Sequence, residues 1–347
     1  MSGLYLVVGN PTAQSGKAKA HLERAIEGLE RRGVTATLVP TEPDKRTIER
    51  VRESIERLDP SVVVYLGGDG TFNEVAQGIL AASRRVPMGM LPMGTANDQG
   101  RSLGVRPGPE AIEENLDVIV RGHVLHLDAG RAERLDARGD ARDTTLFFDS
   151  IGWGLHPEIL AQRNRDRAAV QEIPVLREIY RDQAVYAGAL LDRFVASFFE
   201  PTKFDAEVRS EGRVVTYDGL TDLIINATPI YAGEWVLDRF SEPDDGKFEL
   251  VPMQGRRDWA SKALRDLSVL PLFQDDLDVI GVTHSVGFAG ASFELTFFRA
   301  EREEIRSQID GEEWLSGERF RVTALANALP VITPQGFVPP WRFARDE

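Results

Sequence analysis

Residues 62–66 (VVVYL) form an unbroken apolar, mostly β-branched run, the pattern of a central parallel strand covered on both faces. Gly67, Gly68 and Gly70 follow directly, and then Val75, Ile79 and Leu80 recur at helical spacing. The same alternation of strand and helix fills the first third of the chain. Residues 4–8 read as a strand, and the helix after them carries Leu22, Ala25, Ile26 and Leu29 on one face and ends at Gly33. Residues 36–39 read as the next strand, residues 44–58 as a helix with Ile48, Val51, Ile55 and Leu58 inward, and residues 88–91 as a short strand. A helix over 109–121 closes the unit at Gly122. This rhythm predicts a parallel sheet with helices on its faces.

After Val124 the period changes to strict alternation, with glycine turns between the runs. VLHLDAGRAE, TTLFFDSIGW, FDAEVRSEGRVVTYDG, TDLIINAT, GKFELVPM, ASFELTFF, EEIRSQIDGEEW and GERFRVTAL all read as strands. The expected fold is an α/β N-terminal domain over residues 1–123 and a mainly antiparallel β-sandwich or barrel over 124–330. A helical insertion over 156–199 and a further helix over 258–270 interrupt the second part. The proline-rich tail, 331–347, is expected to return to the first domain.

Composition narrows the function classes. The chain has 347 residues, enough for about two domains. Its formal net charge of −14, 55 acids against 41 bases, argues against non-specific nucleic-acid binding, which needs a basic footprint. It also disfavours electrostatic adhesion to anionic lipid. With no cysteine, thiolate metal sites and cysteine nucleophiles are excluded, and a reducing compartment fits. There is no signal-peptide pattern, and no apolar run approaches the ~20 residues that span a bilayer. A soluble protein whose membrane contact is peripheral is expected.

The chemistry gathers on one rim. In a parallel sheet, ligands bind beyond the carboxyl ends of the strands, where the loops at 10–17, 41, 67–71 and 92–98 all fall. Glycines before a helix offer backbone N–H groups and a favourable dipole to phosphate. Asp69 sits among them, and a carboxylate beside polyphosphate needs a bridging cation such as Mg²⁺. A Mg-nucleotide site is one reading; a tight turn in which Asp69 caps the helix is the other. The loop holding Asn10, Thr12, Ser15, Gly16 and Lys17 lacks P-loop spacing. Gly94, Thr95, Asn97 and Asp98 make either a polar pocket wall or an ordinary turn. In the second part, Asp128 ends an apolar strand, Asp310 and Glu312 flank Gly311 in a turn facing the expected cleft, and Asp245 lies in a turn able to hold a hard cation. The five histidines show no ligand spacing, and Ser150 in DSIGWG is not a nucleophile elbow.

Together these motifs resemble the diacylglycerol kinase catalytic-domain family, particularly its soluble bacterial lipid kinases. GGDGTFNE at 67–74 is similar to the family's GGDGT-N-E signature, and GTAND at 94–98 to its second nucleotide motif. NPTAQSGK at 10–17 resembles its opening loop, with Ala13 and Gln14 as extra residues. Asp128, SIGWG at 150–154, DDGKFELV at 244–251 and IDGE at 309–312 fall on later motifs in the right order. GGDGT alone is shared with NAD kinases and phosphofructokinases.

The resemblance implies a parallel-sheet N-terminal domain like those enzymes', followed by a β-sandwich lipid domain, with ATP and Mg²⁺ as cofactors. It implies that Asn10, Pro11, Thr12, Ser15, Gly16, Thr41, Gly67, Gly68, Asp69, Gly70, Thr71, Asn73, Glu74 and Thr95 hold ATP, with Asp69 organising the catalytic Mg²⁺. Glu312 would be the general base for the lipid hydroxyl, supported by Asp128 and Asp310. Asp245, with backbone oxygens of Glu242 and Lys247, would bind a structural Mg²⁺. The implied partner is a lipid substrate at the membrane surface, diacylglycerol first, in a cytoplasmic protein peripheral to the inner face of the membrane; a homodimer is compatible with this. Arg163, Arg165 and Arg167 are a candidate vesicle-docking patch or a solvated helix face. The alternatives are a kinase for a soluble substrate, such as NAD or a sugar phosphate, and a nucleotide-binding regulator without catalysis.

Overall fold

The structure, a computed structural model, describes residues 3–154, 157, 203–231, 235–236, 238, 241–254, 287–299 and 304–338. Apart from Pro157, the expected insertion over 156–199 with its three arginines, the helix over 258–270 and the end of the tail lie outside the described residues.

The first part is built as the periodicity predicts. It runs β1 (Leu4–Gly9), α1 (Lys17–Arg31), β2 (Thr35–Pro40), α2 (Arg46–Leu58), β3 (Val62–Gly67), α3 (Asp69–Ala81), β4 (Met88–Pro92), α4 (Asp98–Ser102) and α5 (Ile112–Arg121). The four strands lie parallel in the order β2-β1-β3-β4. The unbroken apolar run of β3 has its reason in packing. Val63 and Tyr65 join the cluster formed with Val51 and Ile55 of α2 and Phe72, Val75 and Ile79 of α3. Val62, Val64 and Leu66 pack on the opposite face, in the cluster that holds Leu22 and Leu29 of α1 and Leu116 of α5. Helix α2 starts two residues later than the spacing suggests, because Asp44 and Lys45 both take left-handed backbone, each with φ 59°.

The second part runs β5 (Val124–Leu135), β6 (Ala141–Phe147), β7 (Ser150–Gly154), β8 (Phe204–Ser210), β9 (Arg213–Leu220), β10 (Asp222–Asn226), β11 (Ile230–Tyr231), β12 (Trp235–Val236), β13 (Phe248–Met253), β14 (Phe288–Gly290), β15 (Ser292–Phe298), β16 (Ser307–Ile309), β17 (Glu312–Glu313) and β18 (Arg319–Ile332). An antiparallel sheet in the order β14-β13-β10-β7-β16-β17 faces the strands β18-β15-β8-β9 of the first sheet. One apolar core fills the space between them. Trp153, fully buried, lies 5.4 Å from the ring of Phe297 and 5.3 Å from that of Phe320.

Two long strands join the parts. β5 and β18 pair from Phe320↔Arg134 to Ile332↔Val124, with a bulge between Leu325 and Leu329. The end of β18 then pairs parallel with β4 through Val331↔Met88, and Phe337 lies against Gly104. The run TTLFFDSIGW, expected as one strand, divides between the sheets at Phe148 and Asp149: β6 stays in the first and β7 enters the second.

Removing the central aromatic of the sandwich core leaves a cavity that its neighbours cannot fill. Trp153→Ala is expected to lower stability by about 3–5 kcal/mol, read as a reduced urea midpoint at unchanged slope.

Candidate functional site

The strand ends of the parallel sheet form the rim. Thr41 N–H donates to the Gly9 carbonyl at 3.1 Å and Met93 N–H to the Gly67 carbonyl at 2.7 Å, so the loops after β1, β2, β3 and β4 start side by side. In the first loop Asn10 Oδ1 accepts the backbone N–H of Thr12 at 2.9 Å and its hydroxyl at 2.8 Å. Pro11 completes that turn, and a 3₁₀ turn, Ala13–Gly16, contains Ser15. Gly16, with φ 90°, leads into α1 without a side-chain cap.

The glycine turn meets the GTAND loop through backbone. A Cβ on Gly94 would stand 2.6 Å from the Cα of Gly68, closer than a side chain allows. Asn97 fixes its own loop by accepting the Gly94 N–H at 2.7 Å and donating to the Gly94 carbonyl at 2.8 Å. Asp69 Oδ2 accepts the Asn97 N–H and Oδ1 the Asp98 N–H, both at 2.9 Å. Asp69 therefore caps α4, across the rim, while its own helix α3 has no side-chain cap. The first turn of α3 thus keeps N–H groups that can face an anion, while the room beside Gly67, Gly68 and Gly70 is taken by Thr71, Gly94 and Glu312. Burial raises the pKa of Asp69; the N–H groups of Asn97 and Asp98 and the charge of Arg101 oppose it. Thr95 is exposed at the same rim, and Thr71 lies over Gly67.

Across the cleft, the β16–β17 turn brings the late acids to this rim. Asp310 takes left-handed backbone, φ 47°. Its buried carboxylate accepts the N–H groups of Phe148 at 3.0 Å, Asp149 at 2.8 Å and Ser150 at 3.1 Å. These amides belong to the switch between β6 and β7. The Asn73 amide of α3 completes the set, donating to Asp310 Oδ2 at 2.7 Å, and is itself held by Gln77 at 2.6 Å. Burial pushes the Asp310 carboxyl up to about 6, against the pull of Asn73 and the backbone donors. Glu312 projects from β17 toward the glycine turn: a Cβ on Gly70 would lie 3.1 Å from its Oε1. An open cleft lies here, lined by Lys45, Gly70, Asn73, Glu74, Glu312 and Trp314 among others.

Asp128 goes elsewhere. Its carboxylate accepts the N–H of Gly246 at 2.6 Å and of Asn327 at 2.7 Å, and its own N–H donates to the Pro243 carbonyl at 2.8 Å. Burial raises its pKa; these two amides oppose the shift, and Asp245 and Asp244 add to it. It shares no hydrogen-bond partner with Asp310 among the described residues. Asp128 thus clamps the turn that carries Asp245, whose exposed carboxylate accepts the Lys247 N–H at 2.9 Å. No group of three His, Asp or Glu side chains able to hold a metal occurs among the described residues. A hard cation at either place would therefore use one carboxylate with carbonyl, phosphate or water oxygens, the ordinary habit of Mg²⁺. Asp69 and Asp245 both fit, since each carboxylate keeps lone pairs beyond those its amides occupy.

Sequence reasoning missed Asp149. It is buried, accepts the Thr228 hydroxyl at 2.5 Å and the Ser150 hydroxyl at 3.1 Å, and has its pKa raised well above the usual range. Burial is the main cause, with Asp98, Asp310 and Asp69 adding repulsion. The signal was there: a lone acid inside the apolar run LFFDSIGW.

Fold and site together define a two-part protein in which a glycine turn on a parallel sheet faces carboxylates on a β-sandwich. The family model Diacylglycerol kinase catalytic domain matches residues 4–132. Proteins named diacylglycerol kinase from Staphylococcus aureus strains RF122 / ET3-1 and MRSA252 are 38% identical over 126 residues, 36% of this chain and 38% of theirs. The match thus spans well under half of those relatives. A solved structure described as a diacylglycerol kinase from Bacillus anthracis str. Sterne aligns over 96% of this chain and 98% of its own, with TM-score 0.67 and 18% identity. Another from the same strain reaches TM-score 0.68 at 18% identity. The family model and the curated relatives liken residues 4–132 to the diacylglycerol kinase catalytic domain, and the solved structures share the fold.

The raised Asp310 pKa has a signed consequence. A carboxyl that holds its proton more tightly when folded contributes most below the unfolded value near 4, and that contribution is lost as pH rises toward about 6. Between those limits, wild-type stability relative to Asp310→Asn is expected to fall by roughly 3 kcal/mol. Urea titrations of both proteins from pH 4 to 7 check this, and a pH-independent difference would contradict it.

Proposed function

We propose that this chain is an ATP-dependent lipid kinase that phosphorylates a lipid hydroxyl, with diacylglycerol, giving phosphatidic acid, as the leading acceptor. The observation that carries the reading is the approach of Glu312 Oε1 to Gly70, which sets a candidate base against the glycine turn of a phosphate-binding helix end. The match of residues 4–132 to the family model supports ATP and Mg²⁺ as the donor pair. In this reading residues 1–123 hold ATP and residues 124–330 present the acceptor.

Residues of this chain would divide the work as follows. The N–H groups at the start of α3 bind phosphate, the Asn10–Gly16 and Thr95 loops flank the nucleotide, and Asp69 keeps the two rim loops in register. Bound Mg²⁺ would neutralise phosphate charge beside Asp69, and a second ion would fasten the Asp245 turn. Glu312 accepts the proton of the lipid hydroxyl as its oxygen bonds to the γ-phosphorus and the bond to the β-phosphate oxygen breaks. Asp310, bonded to Asn73, holds the base-bearing turn against α3. No helix among the described residues is long and apolar enough to cross a membrane. In this reading the acceptor is met at the membrane surface, on the face where ATP is supplied.

Full-length protein with labelled ATP and mixed micelles is expected to label diacylglycerol. Labelling only NAD or a sugar phosphate, without detergent, would replace the reading with a soluble-substrate kinase. Labelling nothing while binding ATP would leave a regulator. Glu312→Gln is expected to cut turnover by roughly 10²–10⁴-fold, the range for a general base, with ATP affinity retained by calorimetry. Unchanged turnover would remove Glu312 from the role.

A further inference from the structure

Lys45 borders the same cleft as Gly70 and Glu312, yet neither the fold nor the chemistry proposed for that cleft uses it. It is the one base among the described residues that line the cleft, and it faces four acids there, Glu74, Asp310, Glu312 and Glu313. Two of the four are already engaged. Asp310 is filled by the Asn73 amide and three backbone N–H groups, and Glu313 pairs with Arg306 at 3.1 Å. Lys45 is exposed, and its ammonium has no ion-pair or hydrogen-bond partner among the described residues. A cation thus stands at an acid-lined cleft without being neutralised by any of its acids.

The backbone that delivers Lys45 is strained. Asp44 and Lys45 both have φ 59°. A short acid tolerates left-handed backbone because its side chain can bond locally, whereas a lysine gains nothing from it and a glycine would adopt it freely. Such strain persists only where the surroundings force it, and it gathers at functional sites. Here the surroundings are a loop closed on itself. The Thr41 N–H ties its start to the Gly9 carbonyl at 3.1 Å. The buried Thr47 hydroxyl accepts the Glu42 N–H and donates to the Glu42 carbonyl, both at 3.0 Å. Arg50 holds the Glu42 carboxylate at 2.6 Å. The turn is therefore fixed at both ends, and the residue it presents to the cleft is the lysine.

We propose that the Lys45 ammonium binds the γ-phosphate of ATP and stays with it during transfer. The proposal rests on the kinase reading and adds a phosphate-binding residue to it. A γ-phosphate lying between the start of α3 and the hydroxyl served by Glu312 enters a space bordered by acids, which repel it. An ammonium in the same cleft offsets that repulsion and stabilises the charge on the transferring group. Its three donors on a flexible stem suit an oxyanion that moves as it reacts. Lys45 gives up no proton. The acceptor oxygen still bonds to the γ-phosphorus, the bond to the β-phosphate oxygen still breaks, and the hydroxyl proton still goes to Glu312. The acids of the cleft disfavour the other anion that Lys45 could meet, an acceptor lipid carrying its own phosphodiester.

Calorimetry on the full-length protein with Mg²⁺ tests the contact by comparing ATP with ADP. Lys45→Gln is expected to weaken ATP by about tenfold, as for the loss of one hydrogen bond to a charged group, and to leave ADP unchanged. In mixed micelles at saturating ATP, Lys45→Gln and Lys45→Gly should each lower kcat by about 10²-fold, the loss when one transition-state donor is removed, at unchanged diacylglycerol KM. Lys45→Arg, which keeps the charge, should recover most of that turnover. Lys45→Gly also relieves the left-handed backbone, so its urea midpoint should rise while its turnover falls, a combination that damage to the fold does not give. Equal losses for ATP and ADP, unchanged kcat, or a loss shared by Lys45→Arg overturns the inference. A loss confined to the acceptor KM overturns it too and makes Lys45 a reader of the acceptor. Wild type that binds ATP and labels no lipid overturns the lipid-kinase reading alone, and the ATP/ADP comparison still decides the role of Lys45.

Discussion

The carboxylate of Asp310 is the point on which the two parts of the molecule depend. It gathers three backbone N–H groups at the place where the chain leaves one sheet for the other, and the Asn73 side chain from α3. Without an acceptor there, three buried amides would be unpaired, and each such group costs about 1–3 kcal/mol. One residue thus permits the break between β6 and β7 and ties the sandwich to the glycine-turn helix. Glu312, two residues along the chain, inherits its position against Gly70 from that tie.

Asp69 plays a matching part on the opposite rim. Of the two readings of this residue the cap is realised, although on a helix not its own, and the carboxylate keeps lone pairs that the proposed cation would use. The site concentrates acids, since Asp98, Asp310 and Asp69 all press on buried Asp149 and raise its pKa further. Such a cluster is poorly disposed to accept a polyphosphate unless protons and a cation offset it. Asp149, which accepts the Thr228 and Ser150 hydroxyls, has its pKa raised by burial and by these neighbouring charges.

Much of this was legible in the chain because it is local. The apolar run 62–66 announced a strand covered on both faces, and the alternating runs after Val124 announced an antiparallel sandwich. The convergence of four loops on one rim followed from the parallel order alone. What could not be read was set by distance along the chain. Asn73 and Asp310 are 237 residues apart, and nothing in NEVAQG or QIDGEE names the other. The break inside TTLFFDSIGW was hidden for the same reason, because its cause is a carboxylate about 160 residues away. Asp128 looked like a partner of the late acids, but its strand carries it to the Asp245 turn and the bulge at Asn327.

The central claim is that the Asn73–Asp310 bond couples the two parts energetically. A double-mutant cycle on urea unfolding, with Asn73→Ala, Asp310→Ala and the pair, measures that coupling directly. A hydrogen bond to a buried carboxylate predicts an interaction energy of about 1.5–3 kcal/mol. Effects that add to within roughly 0.5 kcal/mol would contradict the account, leaving the meeting of Glu312 with Gly70 without the restraint proposed for it.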